Sequence, residues 1–145
     1  MKTSTQYKET LRKKFKYSQK PWESSLGISY IGYNHQIKKK EEFTKALSRK
    51  DALVLFNKDI VSIEKVLNKS LGKNIEQKHF DIMVSLCYDV GTKALRNSMF
   101  FNYYLSGDTY NCFNYYMNWS KYKGKYSQSL YNRRKEELKY ITIQG

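Results

Sequence analysis

Apolar residues recur at three- and four-residue spacing through most of this chain, a period that predicts helices, interrupted by one stretch where it fails. Tyr7, Leu11 and Phe15 fall four apart, so a first helix is expected over residues 3–17. Lys20-Pro21 ends it, because the residue before a proline is pushed out of helical dihedrals. Periodicity is lost over residues 22–47, where Gly27 and Gly32 punctuate a short β segment and Lys38 to Glu42 reads as a polar loop. The next helix is the clearest element. Ser48, followed by Asp51 and Ala52, marks its start. Leu53, Phe56, Ile60, Ile63 and Leu67 form its buried stripe, and Gly72 closes it. At about 20 residues this helix exceeds the usual globular length and suits a link between two parts of a molecule.

Asn74 and Gln77 signal another helix start, ahead of the apolar face Phe80, Met83, Val84 and Cys87 and a stop at Gly91. Shorter helical segments are expected over 98–105, 108–119 and 127–139, with breaks at Gly107-Asp108 and Gly124. The pairs Tyr103-Tyr104 and Tyr115-Tyr116 suit either an interface or a helix straddling core and surface. No repeat, linker or low-complexity tract divides the chain, so residues 1–145 read as a single domain.

Composition narrows the class. With 40% hydrophobic and 16% aromatic residues the chain has material for a real core, and one Pro with seven Gly argues against a turn-dense sandwich. No run approaches the 18 or so apolar residues of a membrane span. The basic stretch from Met1 to Lys20 lacks an apolar core, so no cleavable secretory signal is expected. The expected location is the cytoplasm of the producing cell, or assembled into a larger particle. Cys87 and Cys112 fall on apolar helix positions, as two buried thiols or a disulfide. Neither they nor His35 and His79 have metal-site spacing, and no cofactor is implied.

The net charge is +14, and residues 1–50 hold 13 basic against 4 acidic side chains. Such a field attracts nucleic acid, an anionic envelope polymer or an acidic protein; a solvated lysine-rich surface is the plainer explanation.

Gly27-Ile28-Ser29-Tyr30-Ile31-Gly32-Tyr33-Asn34-His35 resembles the hairpin motif G-x-x-T-I-G-Y-G-H of the phage-type lysozyme (endolysin) family, glycoside hydrolase family 24. Further pieces follow in the family's order. Gln77 to Gly91 is similar to Q-x-x-F-D-A-L-V-S-F-x-F-N-V-G, and Leu105-Ser106-Gly107-Asp108 to L-x-x-G-D. Trp119 with Lys121 matches W-x-K, Gly124-Lys125 the G-K beyond it, and Leu130, Arg133-Arg134 and Glu137 the closing L-x-x-R-R-x-x-E. The resemblance implies an α+β, mainly α, two-lobed fold. A hairpin lobe over 18–47 and a linking helix over 49–70 would join a helical lobe over 74–145 that includes the first helix. It also implies scaffold roles for Arg133 and Arg134, a helix-orienting role for Asp81, and a His35 that bridges the hairpin to the helical lobe.

The chemistry departs from the pattern. In the family a Glu at the end of the first helix, an Asp in the hairpin and the motif's Thr form the hydrolytic centre. Those positions here hold Phe15 or Lys16, then Ser24, then Tyr30, and Asn34 replaces the glycine before His35. Glycoside hydrolysis needs a carboxylic acid to protonate the leaving oxygen and a second group to direct water. Neither Phe15 nor Lys16 can be that acid, and Ser24 cannot act as a general base near neutral pH. Glu23 is the one nearby substitute; Glu9 lies about 9–10 Å back along the helix, too far to reach the same bond.

The expected function is therefore a catalytically inactive lysozyme-like module, either binding peptidoglycan or another anionic envelope polymer or serving as a structural part of a phage particle or injection device, in company with its other proteins. Trp22, Tyr30, Tyr33 and His35 are its candidate glycan-binding residues. The alternative is an active muramidase with relocated acids, cutting between N-acetylmuramic acid and N-acetylglucosamine. A nucleic-acid-binding role ranks third, resting on charge and interleaved tyrosines alone.

Overall fold

Helix α1 (Thr5–Lys13) starts where Ser4 caps it, its hydroxyl accepting from the Tyr7 N–H at 3.2 Å, and it buries Tyr7 and Leu11. It ends four residues short of the expected boundary, and Pro21 has no part in ending it. Pro21 instead lies inside strand β1 (Ser18–Glu23). That strand is at the edge of a three-stranded antiparallel sheet ordered β1-β2-β3, with β2 at Ser29–Gly32 and β3 at His35–Gln36. An edge strand has one side without ladder bonds, so proline's missing N–H is tolerated there. The structure, a computed structural model, describes residues 1–142.

Of the left-handed backbones in the sheet region, two bear on its packing and its turn into β3. Gly32 sits at φ +68°, and a Cβ there would come within 3.3 Å of both Ala52 Cβ and Leu47 Cδ2. Asn34 adopts φ +57° in the turn to β3. Asparagine is among the few residues that accept this conformation readily, which makes it a workable replacement for the family's glycine.

Helix α2 (Arg49–Ser70) begins with the Ser48 hydroxyl accepting from the Asp51 N–H at 3.0 Å. Its buried stripe is Ala52, Phe56, Ile60, Ile63 and Leu67; Leu53, expected inside, is 40% exposed. Ala52 takes the inward position because the sheet backbone at Gly32 comes too close for anything larger.

The chain divides into two units. One comprises Thr3–Ser62; the other holds Met1–Lys2 and everything from Ile63 onward, so α2 contributes to both. The first helix falls in the sheet-bearing unit, where the motif-based grouping put it with the helical lobe.

In the second unit, α3 (Gln77–Val90) buries every residue from Phe80 to Cys87 and stops at Gly91, φ +89°. Its cap is Glu76, without a side-chain bond. The expected capping residue Gln77 lies inside the helix and donates to Asp81 Oδ1 at 2.9 Å and to the Lys2 carbonyl at 2.8 Å. Short helices follow: α4 (Thr92–Arg96), absent from the sequence expectation, then α5 (Met99–Leu105) and α6 (Thr109–Asn114). The helix expected over 108–119 breaks after Asn114 into a 3-10 turn (Tyr116–Ser120), and a small hairpin follows, β4 (Lys121–Tyr122) and β5 (Lys125–Tyr126). Helix α7 (Gln128–Thr142) ends the described chain.

Cys87 and Cys112 are buried and unbonded, and burial pushes both thiols up, Cys112 to about 12. The tyrosine pairs do straddle: Tyr116 is fully buried against Phe100, while Tyr115 is 42% exposed and stacks on Tyr103 with centroids 5.7 Å apart.

Candidate functional site

The hairpin sheet sorts its side chains by the two-residue period of a strand. Trp22 pairs with Tyr30 and Tyr30 with Gln36, forming one row across all three strands. The next pair, Ile31 with His35, points the other way and is buried. The outward row carries the aromatic chemistry. Trp22 is 42% exposed, and its ring lies 5.1 Å from that of half-buried Tyr30 at an interplanar angle of 30°. Gln36 continues the row as an exposed amide.

Of the four candidate glycan-binding residues, the structure brings Trp22 and Tyr30 together at the surface and takes the other two inward. Tyr33 is buried, with Tyr17 at 5.7 Å, the edge of Phe56 at 6.4 Å and the Arg12 guanidinium 5.4 Å from its ring centre. His35 is 4% exposed and held at both ring nitrogens: Nδ1 is 2.6 Å from Asp59 Oδ2, and Nε2 is 2.9 Å from Glu41 Oε1. Burial opposes a proton on His35, but the hydrogen bonds to Asp59 and Glu41 outweigh it and raise the imidazole above its usual value. Burial likewise works against ionised Glu41, and the Lys38 N–H together with His35 overcomes it, lowering that carboxyl. Asp59 lies on α2 within the sheet-bearing unit, so the His35 bonds tie sheet, loop and helix inside one unit, a correction to the expected bridge toward the helical lobe.

Around the positions where the family keeps its hydrolytic groups, the side chains have other work. Phe15 is 6% exposed and packs just past the end of α1, while Lys16 is exposed. Ser24 closes the β1–β2 turn: its hydroxyl accepts from the N–H groups of Leu26 and Ile28, each at 3.3 Å. Tyr30 is stacked on Trp22. Glu23 is exposed at the end of β1, opposite Ser29. Glu9 is bound by Arg12 at 2.5 Å, and that hydrogen bond lowers its carboxyl.

Sequence reasoning missed Glu41 and Asp59 as partners of His35, since one sits in a charged run and the other on a helix 24 residues away. In the second unit, Arg133 and Arg134 do take scaffold positions. Arg133 grips Asp89 with Nε at 2.9 Å and Nη2 at 2.5 Å, and Arg134 Nη2 reaches the same carboxylate at 2.6 Å. Glu137 pairs with Arg134 and accepts from Tyr116 Oη at 2.6 Å and from Ser85 Oγ. Asp81 orients its neighbours as expected, accepting from Gln77 and, at 2.7 Å, from Tyr140 on α7. Among the described residues no group of three or more His, Cys, Asp or Glu is placed to hold a metal ion, and no helix is long and apolar enough to cross a membrane.

Comparison with known proteins places the fold and the family. The endolysin of Bacillus phage PZA is 31% identical over 121 residues, 83% of this chain, and that of Bacillus phage B103 is 30% identical over the same length. The chain spans about half the length of these curated relatives, 45% and 44%. Among solved structures, the muramidase domain of SpmX from Asticaccaulis excentricus superposes with a TM-score of 0.81 at 22% identity, covering 99% of both chains. The endolysin of Escherichia coli O157:H7 phage FAHEc1 gives 0.81 at 24% identity, covering 98% of this chain and 94% of its own. These likenesses establish a lysozyme-like fold. Residues 13–137 match the phage lysozyme family, and the chain belongs to that family.

Proposed function

We propose that this chain is a lysozyme-fold module that grips peptidoglycan without cutting it. The observation that carries the reading is the occupancy of the family's three reactive positions: a buried phenyl ring or an exposed ammonium, a hydroxyl that closes a turn, and a phenol stacked on tryptophan. None of them is a carboxylic acid to protonate the glycosidic oxygen, and none offers a carboxylate to direct water. The Trp22–Tyr30–Gln36 row supports binding in its place. The apolar C–H face of a pyranose ring packs on an indole or phenol ring while its hydroxyls stay in water or meet the Gln36 amide. A role within a phage particle or injection device is part of the same reading.

Two observations favour the competing reading of an active muramidase. Glu23 is an exposed carboxylate adjoining Trp22, and the chain's relatives are named endolysins. Purified sacculi separate the two readings. The module reading expects the protein to sediment with sacculi, to release no reducing ends, and to lose about tenfold in binding in Trp22→Ala, roughly one stacking platform's worth. Release of reducing ends that disappears in Glu23→Gln would establish the enzyme instead.

A further inference from the structure

A second recognition feature lies wholly within the unit from Ile63 onward. Strand β4 with the turn after it, the 3-10 turn before it and helix α4 line an open cleft of about 450 Å³. Lys93 enters from α4 and Asn97 from its C-cap; Trp119, Lys121, Tyr122 and Lys123 enter from the turn and hairpin. The three lysines are exposed, and among the described residues none is paired with a carboxylate. Two buried acids of this unit, Asp89 and Glu137, are already engaged, Asp89 by Arg133 and Arg134 and Glu137 by Arg134. A concave site with three uncompensated positive charges holds a local field that only an anionic ligand neutralises.

The walls are built to hold their position. Trp119 is half-buried at a kink of the 3-10 turn, with its carbonyl 3.5 Å from Arg134 Nη1, and the Ser127 N–H closes onto the Ser120 carbonyl at 2.9 Å. Its other side lines a smaller cavity of about 210 Å³. Lys123 occupies a left-handed backbone, φ +49°, ahead of Gly124 at φ +79°. A lysine there costs about 1 kcal/mol that asparagine or glycine would largely avoid, yet it places an ammonium at the cleft rim, 5.7 Å from the Tyr122 ring.

We propose that this cleft binds the phosphate groups of an amino-sugar phosphodiester polymer of the bacterial envelope. The lysines take the phosphate, Trp119 and Tyr122 the sugar face, and Asn97 a hydroxyl or acetamide. Lysines gathered around one small cleft, with a single tryptophan at its wall, suit one or two sugar units. A nucleic-acid track would instead need several aromatic platforms spread along a basic groove. This site is independent of the hairpin platform and holds whether or not the chain retains peptidoglycan through Trp22 and Tyr30.

The test uses the full chain and an oligomer of N-acetylglucosamine linked by 1-phosphodiesters, followed by calorimetry and by tryptophan fluorescence in Trp22→Phe, which leaves Trp119 as the reporter. The oligomer is expected to bind at least about tenfold more tightly than neutral chitotetraose, inorganic phosphate or a DNA octamer. The triple variant Lys93→Gln, Lys121→Gln, Lys123→Asn should lose about tenfold and flatten the log–log salt slope by about 2. A control triple, Lys20→Gln, Lys39→Gln, Lys50→Gln, removes equal charge from the other unit and should change affinity less than about twofold. Equal losses in both triples, or DNA bound as tightly as the oligomer, overturn the proposal. Binding to sacculi stripped of anionic polymers reports the hairpin reading separately, because the pocket triple leaves it unchanged.

Discussion

Each unit of this protein buries a cation between two carboxylates, and the two clusters differ in the one property that matters for their behaviour with pH. In the sheet-bearing unit the cation is His35, between Asp59 and Glu41. In the helical unit it is Arg134, between Asp89 and Glu137, with Arg133 reinforcing Asp89. Arginine does not lose its proton in a protein, so the second cluster is a fixed fastener. Histidine can, so the first is complete only over a range of pH. The surroundings differ in step: Arg134 and Glu137 are fully buried, whereas Glu41 and Asp59 keep 30% and 23% of their side chains exposed.

Arg134→Met should have the largest effect. It leaves Glu137 and one side of Asp89 buried without their counter-charge, and a loss of about 3–5 kcal/mol is expected in urea unfolding. That loss should hold steady from pH 6 to 9, and a strong pH dependence would dissolve the contrast between the clusters.

His35→Asn comes next, at about 1–3 kcal/mol near pH 6. His35 is raised in the folded state, so its contribution is fully present below 6.5 and is lost as pH rises through the higher folded value. The native protein should therefore lose stability as pH rises above 6.5, and His35→Asn should lack that slope. Glu41 is lowered, so its share is present above its ordinary 4.5 and fades as pH falls through the lower folded value. Glu41→Gln should cost under about 1 kcal/mol, because the carboxylate is partly solvated. If Glu41→Gln cost as much as Arg134→Met, exposure would not be what separates the two clusters.

Much of the fold was legible because it is written locally. Ser48 beneath Asp51 starts α2 as read, and Gly91 stops α3 at a positive φ. The misreadings came where context beyond the local pattern decided the outcome. Pro21 terminates a helix only if the chain is helical when it arrives, and here the chain has already turned into an edge strand. Leu53 and Ala52 exchanged places because the approach of Gly32, 20 residues earlier in the chain, selected the smaller side chain. The five-residue α4 and the two-residue strands β4 and β5 are too short to carry a readable period, which hid the lysine-lined cleft beside α4 and β4. At the candidate site, the altered residues Phe15, Ser24 and Tyr30 were visible in the motif, whereas the inward turn of Tyr33 and His35 was not.

By itself the sequence determined which positions are apolar and where most of the turns fall, since each is a property of one residue or its near neighbours. Tertiary structure decided which polar groups meet. His35 lies 24 residues from Asp59, and Arg133 lies 44 from Asp89. No local period encodes those pairings. They exist because burial left each charge with only one set of partners that could satisfy it.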